Sequence, residues 1–214
     1  EIEFSDWSSD VCSSDLLLLI MSAHIYYFPG AGRAEAIKLS LDLAGIPYTF
    51  KGVENWPEEK AEGLKTGSLP FGQVPMVEMD GLHMVQTLAI LNHISRVYLA
   101  KNADEKTLVQ IEVMLNAWND ILNKYFGGAF GTPEKLEQFM KEEAPKQLEM
   151  VQNLYKTYGT KFIASNEPSV ADAHAYTTLK MIEGHDATIL DRFPELKAWK
   201  VAMNEQEGVK KYNA

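Results

Sequence analysis

The sequence predicts an α/β half with the element order β-α-β-α-β-β-α, followed by an all-helical half. Short aromatic and β-branched runs alternate with helical patterns up to about residue 84. Beyond that point apolar residues recur only at helical spacing. We therefore expect a leader over residues 1–20, an α/β domain over 21–100 and a helical domain over 101–214.

Composition narrows the functional classes. The chain has 214 residues, of which 46% are hydrophobic, enough to bury a core. Its formal charge of −10 has the wrong sign for binding a phosphate backbone, so we expect no nucleic-acid partner. Cys12 is the only cysteine, which rules out a disulfide or a Cys-x-x-Cys pair within this chain and favours a reducing, cytoplasmic location.

The leader differs from the rest of the chain. Residues 1–20 are rich in Ser and Asp, end in an apolar run over 16–20 and contain no Lys or Arg, unlike a secretory signal. The apolar run is far shorter than the roughly 20 residues that cross a bilayer. We expect a non-native or disordered leader before a natural start at Met21, and no membrane partner.

The first elements of the α/β half have clear signals. Residues 25–28 form a strand pattern that Pro29 and Gly30 end. The next apolar residues follow helical spacing as far as Gly45, and a second strand begins at Pro47. A strand, helix, strand order implies parallel pairing through a right-handed crossover.

The later elements of this half are shorter. Pro57 stands at the first position of a short predicted helix. Residues 74–79 and 82–84 flank an Asp-Gly pair, which is typical of a β-hairpin. A helix from about Gln86 completes the half.

Helical patterns fill the remainder. Apolar spacing predicts helices over about 88–99, 108–125 and 133–158. Residues 169–172 resemble a capping box that begins another helix, and Pro194 begins the last.

Several common sites are disfavoured. Gly30 and Gly32 follow a strand as in a dinucleotide fingerprint, but Glu35 takes the place of the third glycine. The five histidines lack the i, i+4 spacing of a helical zinc site. The sequence also contains neither a Gly-x-Ser-x-Gly elbow nor a P-loop lysine.

The most informative pair is Tyr27 and Pro75. Pro75 opens the third strand and cannot donate to a ladder, so we place it at a sheet edge. A cis Val74–Pro75 bond there would turn the Val74 backbone toward an extended ligand. Tyr27 ends the first strand, where ligands collect on open α/β sheets; the alternative is a half-buried ring that only fills space.

Five motifs occur in order along the chain: residues 25–35, 69–75, 80–81, 86–90 and 169–172. Together they resemble the cytosolic glutathione transferases, nearest their sigma class. The resemblance covers essentially all of 21–214. It implies a thioredoxin-like first domain and an all-helical second domain.

The resemblance implies catalytic roles for two residues. Tyr27 would donate a hydrogen bond to the glutathione sulfur and favour thiolate over thiol. Arg33 would add a positive field near the thiolate. The alternative for Arg33 is a structural ion pair, for example with Glu35.

The resemblance also implies a set of glutathione-binding residues. Trp56 and Lys60 would hold the glycyl carboxylate, and the helix N-terminus at Thr87 the γ-glutamyl carboxylate. Asp120 would reach the γ-glutamyl ammonium bound by a partner subunit, which implies a homodimer. The alternatives are a solvated Lys60, a plain N-cap at Thr87 and an exposed helical Asp120. The full set is Tyr27, Trp56, Lys60, Gln73, Val74, Pro75, Gln86, Thr87 and Asp120.

An electrophile pocket is implied by position alone. Its residues are Phe28, Gly30, Gly32, Asn119, Leu122, Gly127 and His174. Gly127 replaces a tryptophan of glutathione-dependent prostaglandin D synthases, and Ala31 replaces an arginine of their first loop, which argues against that isomerase. Asn116 and Asn119 replace acids that bind a divalent ion in some relatives, so we expect no metal.

We therefore expect a detoxification enzyme that conjugates glutathione to hydrophobic electrophiles, with glutathione as co-substrate and no cofactor. One alternative is a glutathione-dependent isomerase or peroxidase of the same class. Another is a non-catalytic ligand-binding or crystallin-like homologue. A thioredoxin-type thiol oxidoreductase needs a cysteine near position 27, and the sequence has none there.

Overall fold

The computed structural model describes residues 22–214, so the predicted leader and Met21 lie outside it. The predicted fold class is confirmed: an α/β half with a four-stranded mixed sheet precedes an all-helical half. Within the described range no helix is both long and apolar enough to cross a membrane.

The sheet has the strand order β2-β1-β3-β4. β1 pairs in parallel with β2, as the strand, helix, strand pattern predicts, and antiparallel with β3, which pairs antiparallel with β4. The hairpin turns at Asp80 and Gly81, whose φ angles of 53° and 72° are left-handed. The strands are β1 Ala23–Tyr27, β2 Tyr48–Gly52, β3 Met76–Met79 and β4 Leu82–Val85.

The predicted edge position of Pro75 is wrong. β3 lies inside the sheet between β1 and β4, and its ladder begins only at Met76. Pro75 directly precedes that strand, so its missing N–H removes no ladder hydrogen bond. The predicted cis Val74–Pro75 bond is present.

Three helices belong to the α/β half. Gly45 ends the first with a φ of 70°, a left-handed conformation that suits glycine. The third continues into a wider turn over Ser95–Leu99, where the N–H of Ala100 donates to the carbonyl of Ser95. The helices are α1 Ala34–Ala44, α2 Trp56–Thr66 and α3 Thr87–Ile94.

The helical half differs from its prediction in two places. The single helix expected over 133–158 contains a wider turn at Phe139–Glu143, two residues before Pro145, which has no N–H to continue the regular ladder. A last short helix after Asn204, α9, was not predicted. The helices are α4 Glu105–Ala129, α5 Pro133–Gln138, α6 Ala144–Tyr158, α7 Val170–Glu183, α8 Pro194–Asn204 and α9 Glu207–Asn213, with a 3-10 turn at Ile189–Arg192.

The predicted capping box begins α7 and is entirely buried. Asp172 accepts hydrogen bonds from both the N–H and the hydroxyl of Ser169. It also accepts from the N–H of Ile163 and from the indole N–H of Trp199. Burial raises the pKa of Asp172, and these four hydrogen bonds oppose that rise. One carboxylate therefore joins three segments of the helical half.

Candidate active site

A cleft of about 520 Å³ lies where the loops of the α/β half face helix α4. Polar residues of the α/β half form one wall, and two asparagines of α4 contribute to the other. The lining residues are Phe28, Arg33, Trp56, Lys60, Gly72, Gln73, Val74, Pro75, Gln86, Thr87, Leu88, Asn119 and Asn123. Most of the glutathione-binding set expected from sequence thus lies in one cavity.

Trp56 and Lys60 lie one turn apart at the start of α2. Pro57 favours a helix start there, which fixes the direction of both side chains. The Lys60 Nζ lies 6.0 Å from the centroid of the Trp56 ring. Gly72, which sequence reasoning missed, has a φ of 56°, and a Cβ there would lie 2.8 Å from the Lys60 side chain. Its lack of a side chain leaves room for that lysine.

The hairpin connects to α3 through an unusual backbone conformation. Gln86 has a φ of 72°, which is rare for a residue with a side chain and is often found at functional sites. Its Nε2 donates to the Oε1 of Gln73 across the cleft wall, 3.2 Å away. Thr87 is the first residue of α3, so the unpaired N–H groups of that helix start lie at the cleft.

Tyr27 lies at the end of β1; the residue is 9% exposed, and its ring packs edge-to-face against Phe28. Its hydroxyl oxygen accepts a hydrogen bond from the backbone N–H of Arg33, 3.0 Å away. A Cβ at Gly32 would lie 2.6 Å from that oxygen. The ring itself is not part of the cleft lining, whereas Arg33 and Phe28 on either side of it are. The accepted bond leaves the phenolic hydrogen free to donate elsewhere.

The side chain of Arg33 extends from the loop before α1 to helix α4. Its Nη2 donates to the Oδ1 of Asn123, 2.7 Å away, and its guanidinium lies 5.3 Å from the Phe126 ring centroid. The alternative of an ion pair with Glu35 is not found, because Glu35 binds Lys38 at 2.8 Å. Sequence reasoning missed Asn123, although it follows Asn119 by one helical turn and so shares its face.

The predicted electrophile pocket is only partly assembled. Phe28 and Asn119 line the cleft. Gly127 is exposed with open space around it, while Gly30 and Gly32 lie in the loop before α1. The other two residues, Leu122 and His174, do not line the cavity.

Leu122 and His174 are corrections to the sequence-based set. Leu122 is part of the core, and His174 is completely buried within α7. The His174 Nδ1 lies 3.2 Å from the Thr178 hydroxyl, while Nε2 has no partner. Burial lowers the pKa of His174 to about 4, so the ring is neutral near pH 7. A sealed neutral histidine cannot contact a substrate in the cleft.

Asp120 is exposed on α4 and lies outside the lining of the cleft in its own subunit. Residues 22–214 contain no cluster of three or more His, Cys, Asp or Glu side chains placed to hold a metal ion.

Two family models match the chain: "Glutathione S-transferase, N-terminal domain" over residues 21–96 and "Glutathione S-transferase, C-terminal domain" over 119–214. Rat glutathione S-transferase alpha-4 is 32% identical over 193 residues, which cover 88% of this chain and 86% of the rat protein. The chain belongs to the glutathione S-transferase family. The predicted enzyme class, a glutathione transferase, is confirmed at this level.

Other glutathione S-transferases extend this likeness. Bovine glutathione S-transferase A1 is 33% identical over 192 residues, covering 88% of this chain and 86% of the bovine protein. The structure of the Onchocerca volvulus Pi-class enzyme matches with a TM-score of 0.81 and 26% identity over 90% of this chain and 92% of that chain. Prostaglandin synthase D of Nilaparvata lugens shares the fold, with a TM-score of 0.77 and 22% identity over 90% and 96%. The alpha-class names of the relatives do not support the predicted sigma class.

Proposed function

We propose that this glutathione S-transferase ionises the thiol of bound glutathione and directs the thiolate to hydrophobic electrophiles. One observation carries the proposal: the Tyr27 hydroxyl accepts the Arg33 N–H and keeps its own hydrogen for a ligand. Phe28, the next residue in the chain, and Arg33, whose N–H binds the hydroxyl, both line the cleft.

The polar groups of the cleft match the two ends of glutathione. Lys60 and the indole N–H of Trp56 offer a cation and a donor to the glycyl carboxylate. At the opposite end, Thr87 and the start of α3 offer unpaired N–H groups to the γ-glutamyl carboxylate. Val74, just before the cis bond, supplies the backbone that an extended tripeptide can pair with.

The chemistry requires little more than thiolate stabilisation. A free thiol has a pKa of about 8.5, and only its anion is a good nucleophile. A hydrogen bond from Tyr27 that favours the anion by about 1.4 kcal/mol lowers that pKa by roughly one unit and raises the thiolate fraction about tenfold below it. The positive charge of Arg33 acts in the same direction. Holding the electrophile beside the sulfur supplies the rest of the rate enhancement.

The proposal includes a homodimer that shares its sites. Asp120 is exposed on α4 and does not line the cleft of its own subunit, which is compatible with its predicted contact to a partner's γ-glutamyl ammonium. Asp120→Ala should therefore raise the Kd for glutathione several-fold while the molecular mass in sedimentation stays unchanged. An unaltered Kd would contradict the shared site.

The sigma class and the cytoplasmic location remain predictions from the sequence. An isomerase or peroxidase of the same class would use the same thiolate and remains an alternative from the sequence. A non-catalytic homologue is the second candidate, since an exposed cleft of this kind can also bind ligands without turnover. The retained Tyr27, Lys60 and Thr87 favour the enzyme.

Retention on immobilised glutathione, followed by an aryl-halide conjugation assay of the eluted protein, tests the proposal. Retention that free glutathione competes away, together with turnover, is the expected result. Retention without turnover would favour the non-catalytic homologue, and no retention would contradict the proposal.

A further inference from the structure

Arg33 is fixed at both of its ends. Its backbone N–H donates to the Tyr27 hydroxyl at 3.0 Å, and its guanidinium donates to the Asn123 amide oxygen at 2.7 Å. The Phe126 ring lies 5.3 Å from the guanidinium carbon. Tyr27, on the sheet, and Asn123, on α4, are therefore joined through a single residue.

The groups that hold the guanidinium are neutral. An amide oxygen accepts a hydrogen bond without cancelling the charge of its donor, whereas a carboxylate would form an ion pair. Over residues 22–214, Arg33 forms no ion pair: Glu35 binds Lys38 and the Tyr212 hydroxyl instead. The cation thus remains uncompensated beside the cleft.

The other titratable groups near Arg33 leave its charge in place. Tyr27 is bonded through its oxygen, and His174, on α7, is buried and neutral near pH 7. Lys124, the charged residue next to Asn123 on α4, pairs with Glu143. Lys60 lies in the same cleft and adds a second positive charge.

We propose that Asn123 is a positioning residue for the transferase reaction. It holds the Arg33 guanidinium at the cleft through a neutral amide, so that the full positive charge acts on the bound thiolate. The inference rests on the proposed function and assigns the helical half a part in thiol ionisation.

Two substitutions separate positioning from charge. Asn123→Asp keeps an acceptor for Arg33 but neutralises its charge. Asn123→Ala removes the acceptor, so the Arg33 guanidinium keeps its charge but is no longer held in place by α4. Asn116→Asp is the matched control, because it adds the same charge to an exposed site on the same helix outside the cleft.

The readout is the pKa of glutathione's thiol in the binary complex, taken from the ultraviolet absorbance of the thiolate. Asn123→Asp should raise that pKa by on the order of one unit, which lowers the thiolate fraction about tenfold at pH values below it. The pH profile of kcat/KM should shift to higher pH by the same amount. Asn116→Asp should leave both nearly unchanged.

A double-mutant cycle tests whether Asn123 acts through Arg33. Asn123→Ala should cut kcat/KM several-fold in the natural background and have no further effect when Arg33 is already Gln. An equal loss in both backgrounds, or a thiol pKa that responds alike to the two Asp variants, would overturn the inference. If the unsubstituted protein does not ionise the thiol of bound glutathione, both the inference and the proposed function are wrong. If it does, but the Asn123 variants change the thiol pKa no more than Asn116→Asp does, only the inference is wrong.

Discussion

The polar residues on the α/β wall of the cleft and those in the core of the helical half have opposite surroundings. In the α/β half, Lys60, Gln73 and Gln86 lie exposed around the cleft. In the helical half, Asp172 and His174 are sealed in the core. Residue type alone does not distinguish a ligand-binding group from a buried structural one. We expect substitutions in the first set to change catalysis and those in the second to change stability.

Asp172→Ala should give the largest effect. Four buried donors lose their acceptor, and such losses cost about 1 to 3 kcal/mol each before relaxation, so we expect a loss of roughly 4 kcal/mol in the free energy of unfolding. Denaturant titration measures it. Asp186→Ala, at a half-buried carboxylate that accepts from the N–H and hydroxyl of Thr188, is the control and should lose far less. Equal losses in the free energy of unfolding would mean that the buried hydrogen bonds of Asp172 stabilise the protein no more than an ordinary capping carboxylate does.

His174→Gln should flatten the dependence of stability on pH. The pKa of His174 is about 4 in the folded protein against 6.5 unfolded, so between these values the unfolded state binds more protons. His174 therefore contributes on the order of 3 kcal/mol to the free energy of unfolding. This contribution is fully present above about pH 6.5 and is lost as the pH falls toward 4.

The measurement is the free energy of unfolding at several pH values in this window. The exposed His24→Gln variant provides the comparison. A His174→Gln profile as steep as the original would show that this histidine carries no part of the slope.

Gly32→Ala should affect catalysis rather than folding. The added methyl would lie 2.6 Å from the Tyr27 hydroxyl oxygen, so either the ring or the turn must move. We expect kcat to fall by about 100-fold, since catalytic groups displaced by about 1 Å lose on that order. Gly127→Ala meets no atom within 4 Å and lies outside the cleft lining, so it should leave kcat nearly unchanged. Similar rates for both variants would contradict the position assigned to Tyr27.

The contrast between the halves also explains what the sequence could predict. Motifs of the α/β half depend on backbone chemistry that residue types reveal: a cis Pro75, an Asp-Gly turn at 80–81 and a helix start at Thr87. The parallel β1–β2 pair, the β3–β4 hairpin and the residues of the cleft wall follow from these signals. Only the place of Pro75 in the sheet was wrong, because sequence order does not say which strand lies between two others.

The helical half was harder to predict in detail. Helical spacing located its helices, yet it gives no information on which polar residue faces the cleft and which the core. His174 was assigned to the pocket although the packing of α7 buries it, and Asn123 was missed although it shares a face with Asn119. Gly72 was missed because the need for space beside Lys60 exists only in three dimensions.

The most direct test of the account is the thiol pKa of glutathione bound to Tyr27→Phe. Removing one oxygen leaves the ring packing against Phe28 and the cleft walls in place, so the affinity for glutathione should change little. The account predicts that the thiol pKa rises toward the free value of about 8.5 and that conjugation at neutral pH falls in step. A pKa that stays where it is in the unsubstituted protein would contradict the role of Tyr27.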